Sequence, residues 1–573
     1  MIKKILLLIG NNRSKLIGIS MLVFISALFE MTSILFLGRF ISYILDLNAL
    51  VNFNNLISNY SINLVFESKE KLIYFLGYIL IILYVVKTLF FLYYNKILLS
   101  FSEKVKTDLQ LRLLDVYQSM PYLSLRKNTT AYYINNIHQL TQNFSNQIVL
   151  PLLRFFSDTI ILLFIFTLIF IYSPPAIIYL AILTAIFILG YDKIYKKKLS
   201  TYGEYSRKSS ENSMLWLREN LNGYKTIEIY SLKYFFNTKI KSFINEYSKN
   251  NLNAQVIIGI PKNLLELIMI FFIISIVFTS MYFKSESGVI FSTLSVLAVS
   301  AIRIIPAINN LSSLLNQLRH YGKQMTILIE DLECSYPIKN EIDKKSNLDD
   351  KTFFSNLEIR NFTFSYSNQS VSLFNSLNLK ISRGDRIGIV GPSGVGKSTL
   401  LDLILGLIPE NSNLFVNNIN IQNCKDWWYS KVAYLPQVPF ILNGSIKENI
   451  AIGQVEIDHI QLKEAVKFAR LEDLINTLEY GLESYVGELG GFLSGGQRQR
   501  IELARAYYFN KEVIILDEST SALDSSLEKD IISDIYSLNG EITIIFVTHN
   551  LDTLYGCNKI YEFNNGSLRQ VNA

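Results

Sequence analysis

Residues 391–399 of the chain read Gly-Pro-Ser-Gly-Val-Gly-Lys-Ser-Thr. An apolar segment, residues 386–390, precedes this sequence, and a helical pattern over residues 399–406 follows it. A glycine-rich loop between a strand and a helix can close backbone N–H groups around phosphates. In such a loop Lys397 reaches the β- and γ-phosphate oxygens, and the Ser398 hydroxyl holds Mg²⁺. The pattern therefore predicts a P-loop that binds a nucleoside triphosphate.

A second property of the chain is its hydrophobicity. The 573 residues are 50% hydrophobic, and their number predicts two or three domains. A helix needs about 20 apolar residues to cross a bilayer, and buried helices of a soluble protein keep a polar face. Six segments are long and apolar enough to predict membrane spans, near residues 16–45, 72–98, 148–172, 174–194, 255–282 and 287–310.

The charge is divided between the two halves. Residues 357–573 hold 18 Lys and Arg against 25 Asp and Glu, and the rest of the chain holds 36 against 23. An acidic soluble part disfavours nucleic acid as a partner. In the basic part, Lys and Arg concentrate before the first span and in the two long loops after spans two and four. The positive-inside rule then predicts that both termini and these two loops are cytoplasmic, in the inner (plasma) membrane of a cell.

These patterns predict three regions. Residues 1–334 form an all-α membrane domain whose spans continue as helices into the cytoplasm, residues 335–356 form a charged linker, and residues 357–573 form a cytoplasmic α/β P-loop ATPase domain. Between the first two spans, residues 46–71 mix apolar residues with Asn and Ser. This loop fits either an amphipathic helix on the membrane surface or an irregular ordered loop.

The sequence Leu493-Ser494-Gly495-Gly496-Gln497 is a further motif. With the P-loop it resembles the signature of ABC transporters, and the resemblance covers nearly the whole chain. Six spans followed by one ATPase domain look like an exporter-type half-transporter. The resemblance implies that ATP is bound by the P-loop and signature residues Gly391, Ser393, Gly394, Gly396, Lys397, Ser398, Thr399, Ser494, Gly495, Gly496 and Gln497.

Other motifs of that family follow in order. Tyr366 matches the aromatic residue that stacks on adenine, and Gln437 matches the Q-loop residue that links Mg²⁺ to the membrane domain. An apolar strand, residues 513–516, leads to Asp517 and Glu518. The resemblance implies that Asp517 holds Mg²⁺, together with Ser398 and Gln437, and that Glu518 is the general base for the attacking water.

Two more positions complete the ATPase set. Asp524 ends the sequence Ser-Ala-Leu-Asp, which matches the D-loop, and His549 matches the switch histidine beside the γ-phosphate. Residues 486–488 match the loop by which exporters sense the membrane domain. In this family ATP lies between the P-loop of one subunit and the signature of the other. With no degenerate motif in the chain, a homodimer is favoured over a heterodimer. Coupling helices are expected near residues 121–128 and 222–230, the second docking into the partner's ATPase domain.

Ionisable residues within the predicted spans indicate what crosses the membrane. Such residues are costly in lipid, so they face the interior, pair with each other or mark a pathway. Pairing is open for Glu30 with Lys87, for Arg154 with Asp158 and for Lys262 with Glu266, whereas Arg303 has no obvious partner on its helix. The candidate pathway residues are Glu30, Lys87, Arg154, Lys262, Glu266 and Arg303.

The segments Ile260–Glu266 and Ala301–Asn309, with Glu30, resemble bacterial flippases for lipid-linked oligosaccharides of protein glycosylation (PglK-like). The resemblance implies a polyprenyl-pyrophosphate-linked glycan as cargo, moved from the cytoplasmic to the periplasmic leaflet. A pyrophosphate needs fixed cations, and Arg binds phosphate bidentately. An exporter of a peptide, bacteriocin or amphipathic drug on the same scaffold is the alternative.

Overall fold

Four helices of 47 to 51 residues dominate the N-terminal half of the chain: Lys69–Ser119, Pro174–Asn222, Lys233–Tyr282 and Ser287–Glu333. A bilayer needs only about 20 residues of helix, so each of the four is more than twice as long as one membrane span requires. These lengths agree with spans that extend as helices, while the number of spans and the extension into the cytoplasm stay predictions. Proline lies inside two of them, at positions 261 and 306, which membrane helices tolerate better than soluble ones.

The remaining helical segments of this half are shorter. Between residues 130 and 172 the chain is helical throughout, but π-helical turns at Asn136–Leu140 and Ser145–Val149 interrupt the α-helix. Such turns insert an extra residue and change which side chains face a neighbour. The other segments are Ile2–Ile9, a 3₁₀ turn at Gly10–Ser14, Lys15–Leu45, Tyr122–Leu125, Thr130–Asn135, Thr141–Phe144, Leu150–Tyr172 and Tyr224–Ile229.

The computed structural model forms two units, Met1–Met120 with Asn128–Ile338, and Pro121–Lys127 with Lys339–Ala573. The residues it describes are 2–45, 53, 66, 68–172, 174–282, 287–333, 349, 351–365, 372–408, 413–517, 533, 542–548, 554–564 and 566–571. Most of loop 46–71 and of the linker 335–356 therefore lies outside the described residues.

Four helical segments among the described residues are long and apolar enough to cross a membrane: Asn12–Ile41, Lys69–Ser119, Thr130–Thr167 and Lys233–Ser275. They contain the predicted first, second, third and fifth spans, wholly or in part. The fourth and sixth predicted spans, 174–194 and 287–310, lie in the helices Pro174–Asn222 and Ser287–Glu333, where several side chains are not described.

A polar cluster lies where three helical segments of the first unit meet. Asp331, two residues before the end of the helix Ser287–Glu333, accepts hydrogen bonds from the Tyr117 hydroxyl at 2.5 Å and from Asn136 Nδ2 at 2.9 Å. The Tyr132 hydroxyl lies 3.3 Å from the same carboxylate. Hydrogen bonds to a charged group are stronger than neutral ones, so this carboxylate ties the three segments together.

The second unit contains two β-sheets. The strands are β1 Asn356–Phe364, β2 Phe374–Ser382, β3 Arg386–Val390, β4 Leu414–Val416, β5 Ile419–Asn420, β6 Val432–Leu435, β7 Val513–Asp517, β8 Thr543–Val547, β9 Lys559–Asn564 and β10 Ser567–Val571. The antiparallel sheet has the order β2-β1-β4-β5. The larger sheet has the order β10-β9-β3-β8-β7-β6, and its edge strand β10 is antiparallel while the other five are parallel.

Helices pack on the larger sheet, which places its apolar strands between two hydrophobic clusters. Central strands β7 and β8 are buried on both faces, as continuous Val and Ile runs predict for parallel strands. The unit's helices are Lys397–Ile404, Lys425–Lys431, Ile446–Ile450, His459–Phe468, Glu472–Thr477 and Gly495–Tyr508, with 3₁₀ turns at Ile421–Asn423, Gly481–Glu483 and Glu488–Gly490. The predicted fold class, a helical membrane domain plus an α/β ATPase domain, is confirmed.

Candidate nucleotide-binding site and membrane charges

The glycine-rich loop joins the end of β3 to the helix Lys397–Ile404, as the sequence predicts. Gly394 and Gly396 have φ angles of +80° and +113°, in a region that L-residues with side chains rarely adopt. A Cβ atom at Gly396 would also lie only 3.0 Å from Leu373 Cδ1. Both glycines are therefore required by the backbone, and the loop closes tightly over the start of the helix.

Lys397 fills the inside of this loop. Its side chain is buried, and Nζ donates hydrogen bonds to the carbonyl oxygens of Gly391 at 2.6 Å and Pro392 at 3.1 Å. Ser393, Gly394 and Ser398 are exposed around it. An ammonium, a hydroxyl and backbone N–H groups are the donors and ligands that a triphosphate with Mg²⁺ requires. The chemistry of the loop therefore fits ATP.

The parallel register brings other predicted site residues to the same edge of the sheet. Val547 of β8 lies opposite both Ile389 of β3 and Asp517 of β7. Leu435 of β6 lies opposite Leu516. The carboxyl ends of these four strands therefore lie at the same edge of the sheet. The P-loop follows β3 and the Q-loop follows β6, so both loops begin at that edge. Ligands of open α/β sheets bind at this edge.

Asp517 contributes negative charge at that edge. The Tyr434 hydroxyl donates a hydrogen bond to its Oδ2 at 3.2 Å. The pKa of Asp402 is raised to about 6, mainly by burial. The charge of Asp517 also raises this pKa, whereas the charge of Arg126 lowers it. Two carboxylates that repel each other favour a cation between them and the phosphates. Among the described residues there is no group of three or more His, Cys, Asp or Glu side chains that could hold a metal ion.

The signature sequence forms the start of the helix Gly495–Tyr508. Ser494 is its N-cap and forms a capping box, in which its hydroxyl accepts from Gln497 N at 3.2 Å and its own N–H donates to Gln497 Oε1 at 2.7 Å. Leu493 is buried beneath it, whereas Ser494 itself is exposed. The cap thus presents a serine hydroxyl and helix N-terminal N–H groups at the surface, where they can contact an anion.

A clamp on the segment after the Q-loop was not predicted. Buried Glu502 accepts a hydrogen bond from Phe440 N at 2.9 Å, and Arg505 Nη2 donates to Phe440 O at 3.1 Å. Asn449 closes the other side by bonding both N–H and C=O of Leu442. The sequence signal that could have predicted this clamp is the pair Glu502 and Arg505, three residues apart in a helix with many apolar residues. Charged side chains are rarely buried without a partner, so such a pair indicates a polar contact with another segment.

Four predicted site residues lie outside the described residues: Tyr366, Glu518, Asp524 and His549. The structure therefore brings together the P-loop, Gln437 and Asp517 at one sheet edge and places the signature at the exposed start of its helix. The roles assigned to the other four remain predictions.

Comparison with protein families gives two matches. The model of the ABC transporter transmembrane region matches residues 16–305, about half of the chain, and the model of the ABC transporter ATP-binding domain matches residues 374–521. The chain belongs to the ABC transporter family. With one membrane domain and one ATP-binding domain, it is a half-transporter of the exporter type, as predicted.

Relatives of this ABC transporter include a probable ABC transporter ATP-binding/permease protein of Haemophilus influenzae, 32% identical over 48% of each chain. The alpha-hemolysin translocation ATP-binding protein HlyB of Escherichia coli O157:H7 is 37% identical over 37% of this chain and 31% of its own. The chain thus spans about half or less of the length of the curated relatives it matches. A solved bacterial Atm1-family ABC exporter with ATP bound has the same fold, with a TM-score of 0.78, 19% identity and coverage of 98% of this chain and 96% of its own.

The charges in the membrane domain of the transporter divide into paired and exposed groups. Lys87 Nζ lies 2.8 Å from Glu30 Oε2, with both side chains largely buried. Glu30 and Lys87 thus form an ion pair between two neighbouring helices. This is the pairing that the sequence analysis gave as one of two alternatives for these residues. Replacing only one would leave an uncompensated buried charge, which is strongly destabilising.

The other candidates behave differently. Asp158 accepts a hydrogen bond from Asn310 Nδ2 at 2.8 Å, and the exposed Arg154 lies close enough for its charge to act on the same carboxyl group. Lys262 and Glu266 are both described and exposed, and they form no ion pair with each other. The pairing considered for Lys262 with Glu266 is thus absent in the described structure. The side chain of Arg303 lies outside the described residues.

Proposed function

We propose that this chain is one half of an ATP-driven exporter that works as a homodimer in the inner membrane, with both termini and the ATPase domain in the cytoplasm. The segment Pro121–Lys127 carries this proposal. It connects two helical parts of the membrane domain, yet it belongs to the same unit as the ATPase domain. Arg126 also lies close enough to Asp402, on the P-loop helix, to lower its pKa.

This arrangement supports energy coupling. Asp402 lies on the helix that starts at Lys397, and the charge of Asp517 acts on the same carboxyl group. A change of charge at the phosphates therefore changes the field felt by Arg126. The segment 121–128 was the place expected for the first coupling helix, and the helix Tyr122–Leu125 lies there.

For the chemistry we propose that the P-loop and Lys397 position ATP, that Mg²⁺ is held by Ser398, Gln437 and Asp517, and that Glu518 polarises the attacking water. Phosphoryl transfer depends mainly on the position of the reacting groups and on neutralising the charge of the phosphates. Hydrogen-bond donors of the P-loop, Lys397 and one Mg²⁺ ion can supply both. The exposed signature cap completes the site of a second copy, with Asp524 and His549 lining the shared interface and Tyr366 stacking on adenine.

The proposed cargo is a lipid-linked oligosaccharide, a polyprenyl-pyrophosphate glycan. Arg154 and Lys262 are exposed cations in helices of the membrane domain, and exposed cations suit a pyrophosphate. Glu30 and Lys87 neutralise each other and are assigned to the scaffold instead. Arg303 and Glu266 stay on the proposed route.

Export of a peptide or toxin is the second candidate, because named relatives include alpha-hemolysin and leukotoxin translocation proteins. Their matches cover only 37% of this chain. Both candidates use the same ATPase, and the cargo distinguishes them.

The test is reconstitution of the purified chain in liposomes with a fluorescent pyrophosphate-linked oligosaccharide in the outer leaflet, on the side of the exposed ATPase domain. We expect ATP to move it to the inner leaflet, out of reach of a membrane-impermeant quencher. A non-hydrolysable analogue should fail to do so, and so should Glu518→Gln, which should still bind ATP. Stimulation of ATPase activity by an amphipathic peptide but not by the glycan lipid would instead favour the second candidate.

A matched pair of variants tests the cargo route. Arg154→Gln removes an exposed cation of the membrane domain, whereas Lys197→Gln removes one from the part of the helix Pro174–Asn222 beyond the predicted fourth span. We expect only the first to slow glycan transport, with basal ATPase activity unchanged in both. Equal transport by the two variants would exclude Arg154 from the route.

A further inference from the structure

A proline inside the helix Lys233–Tyr282 leaves a backbone carbonyl without its usual partner. Pro261 stands where a residue with an N–H group would bond the carbonyl of Ile257, four positions earlier. Proline has no N–H group, and its ring also crowds this carbonyl. Ile257 is buried in an apolar cluster, where an unpaired carbonyl is costly. The missing hydrogen bond must therefore come from a side chain of another segment.

The Tyr191 side chain supplies this bond from the helix Pro174–Asn222. Its hydroxyl donates to the Ile257 carbonyl oxygen at 2.5 Å. Tyr191 and Ile257 are both buried in the same apolar cluster. The rings of Phe187 and Tyr195 lie beside the Tyr191 ring, with centroids 6.0 and 4.9 Å away. Packing thus holds the hydroxyl at the carbonyl that the proline leaves open.

The helix Ser287–Glu333 holds the same hydroxyl from its other side. Asn316, which is fully buried, donates from Nδ2 to the Tyr191 hydroxyl oxygen at 3.1 Å. Arg319 Nη1 donates to Asn316 Oδ1 at 3.3 Å. Arg319 also forms an ion pair with Asp192, the residue next to Tyr191. Because Asn316 occupies the oxygen of the hydroxyl, the hydroxyl proton is directed to the carbonyl of the broken helix.

The position of the break gives this bond a consequence for the side chains that follow it. Proline kinks a helix, and the direction of the kink depends on what bonds the freed backbone groups. Lys262 comes directly after Pro261, and Glu266 follows about one turn later; both are exposed. A change in the bend at the proline would therefore move both of these charged side chains relative to the neighbouring helices.

We propose that Tyr191 is a positioning residue for transport, because its hydroxyl replaces the hydrogen bond lost at Pro261 and so sets the bend of the helix. The bend in turn places Lys262 and Glu266. Their part in transport rests on the cargo route proposed above, whereas the bond between Tyr191 and the broken helix does not. A residue that served only to fill space between the helices would not need a hydroxyl, since phenylalanine has the same ring.

A double-mutant cycle on the purified full-length chain tests this assignment. Tyr191→Phe removes only the hydroxyl, and Pro261→Ala restores an N–H group that can bond the Ile257 carbonyl. Amide hydrogen exchange of residues 258–266, measured by mass spectrometry, reports how often the helix opens there. We expect Tyr191→Phe to speed this exchange by roughly fivefold, the factor for one typical hydrogen bond. With Pro261→Ala also present, the same change should alter exchange by less than about twofold.

The control is Tyr205→Phe, which removes the hydroxyl of an exposed tyrosine from the helix Pro174–Asn222 and should leave exchange at 258–266 unchanged. Pro261→Leu also restores the N–H group and replaces Pro261→Ala if that variant does not fold. Equal acceleration by Tyr191→Phe with and without the proline would overturn the proposal. Unchanged exchange in Tyr191→Phe would overturn it as well.

Stimulation of ATP hydrolysis by a pyrophosphate-linked oligosaccharide is the functional measurement. We expect Tyr191→Phe to raise the glycan concentration for half-maximal stimulation about fivefold, and to add no further increase to Pro261→Ala. Faster exchange with an unchanged half-maximal concentration would make Tyr191 a structural residue and overturn its positioning role. If the glycan does not stimulate even the wild type, the proposed cargo is wrong, and the exchange cycle decides the role of Tyr191 by itself.

Discussion

Glu502 is a buried carboxyl group in the clamp that holds Phe440. Burial raises its pKa to about 7, against the hydrogen bond from Phe440 N and the attraction of Arg505, both of which lower it. Its Oε2 atom has no hydrogen-bond partner. Near neutral pH this group is therefore only partly ionised, close to the segment that follows the Q-loop.

Because the pKa of Glu502 is higher in the folded than in the unfolded state, the folded state binds more protons between pH 4.5 and about 7. The free energy of unfolding should then fall with rising pH in this window, by about 1–3 kcal/mol from this group. Glu502→Gln should remove most of that slope. Thermal unfolding of wild type and variant at pH 5 and pH 8 measures it, and an unchanged slope would contradict the assignment.

Asp331 is the second residue with a specific consequence, because it accepts from two tyrosines and an asparagine. Asp331→Ala leaves these donors without their charged partner and should destabilise the membrane domain by about 2–4 kcal/mol. Asp115→Ala, at an exposed position of the helix Lys69–Ser119, is the control and should cost little. Melting temperatures in detergent compare them, and similar values would show that the cluster contributes nothing.

At the scale of elements, two helices of the ATPase domain begin with the same capping box. Ser494 with Gln497 starts the signature helix, and Ser445 with Glu448 starts the helix Ile446–Ile450. Replacing an N-cap serine by alanine costs about 1 kcal/mol. Ser445 caps a helix with no proposed role in ATP binding, whereas Ser494 caps the signature helix. The two serines therefore allow the effect of a lost cap on stability to be separated from its effect on ATP hydrolysis.

We expect Ser494→Ala and Ser445→Ala to lower stability by a similar amount, about 1 kcal/mol each. ATP hydrolysis should fall at least tenfold only in Ser494→Ala, since only this hydroxyl is proposed to contact the γ-phosphate from the opposite subunit. Steady-state ATPase rates measured well below both melting temperatures decide the point. Equal rates in the two variants would remove Ser494 from the site.

Elements with a local pattern could be predicted from the sequence, and contacts between distant segments could not. The P-loop follows from nine consecutive residues, and the long helices follow from continuous apolar runs. The clamp joins Phe440 to Glu502, which are 62 positions apart, and depends on how helix and loop pack. The pairing of Glu30 with Lys87 could be stated only as one alternative, because sequence does not fix the rotation of one helix against another.

At the scale of the whole molecule, one chain carries one P-loop and one signature, and both are exposed in part. In the proposed homodimer, two copies complete two sites. We expect the detergent-purified chain to have a protein mass about twice 65.8 kDa in light scattering, at least with ATP and Glu518→Gln. A monomer with full ATPase activity would contradict the proposed homodimer.

Mixed dimers test the same point without relying on mass. Wild-type subunits are combined with subunits that carry both Ser494→Ala and Lys397→Ala. In such a mixed dimer, one site has the wild-type P-loop with the Ser494→Ala signature. The other site has the Lys397→Ala P-loop with the wild-type signature. We expect such mixed dimers to hydrolyse ATP at least tenfold more slowly than pure wild-type dimers, which should keep their full rate. Activity proportional to all wild-type chains present would show that each chain hydrolyses ATP alone.

The Asp331 cluster has a mechanical consequence. It lies on the final turn of the helix Ser287–Glu333, ahead of the predicted linker, and it ties that turn to the helices around Tyr117 and Tyr132. A rotation of the helix Ser287–Glu333 about its axis would therefore also have to move the segments around Tyr117 and Tyr132, to which Asp331 is bonded. Tyr117 lies four residues before Pro121, where the segment Pro121–Lys127 of the second unit begins, so a displacement of that segment would act on a helix end that the same carboxylate holds.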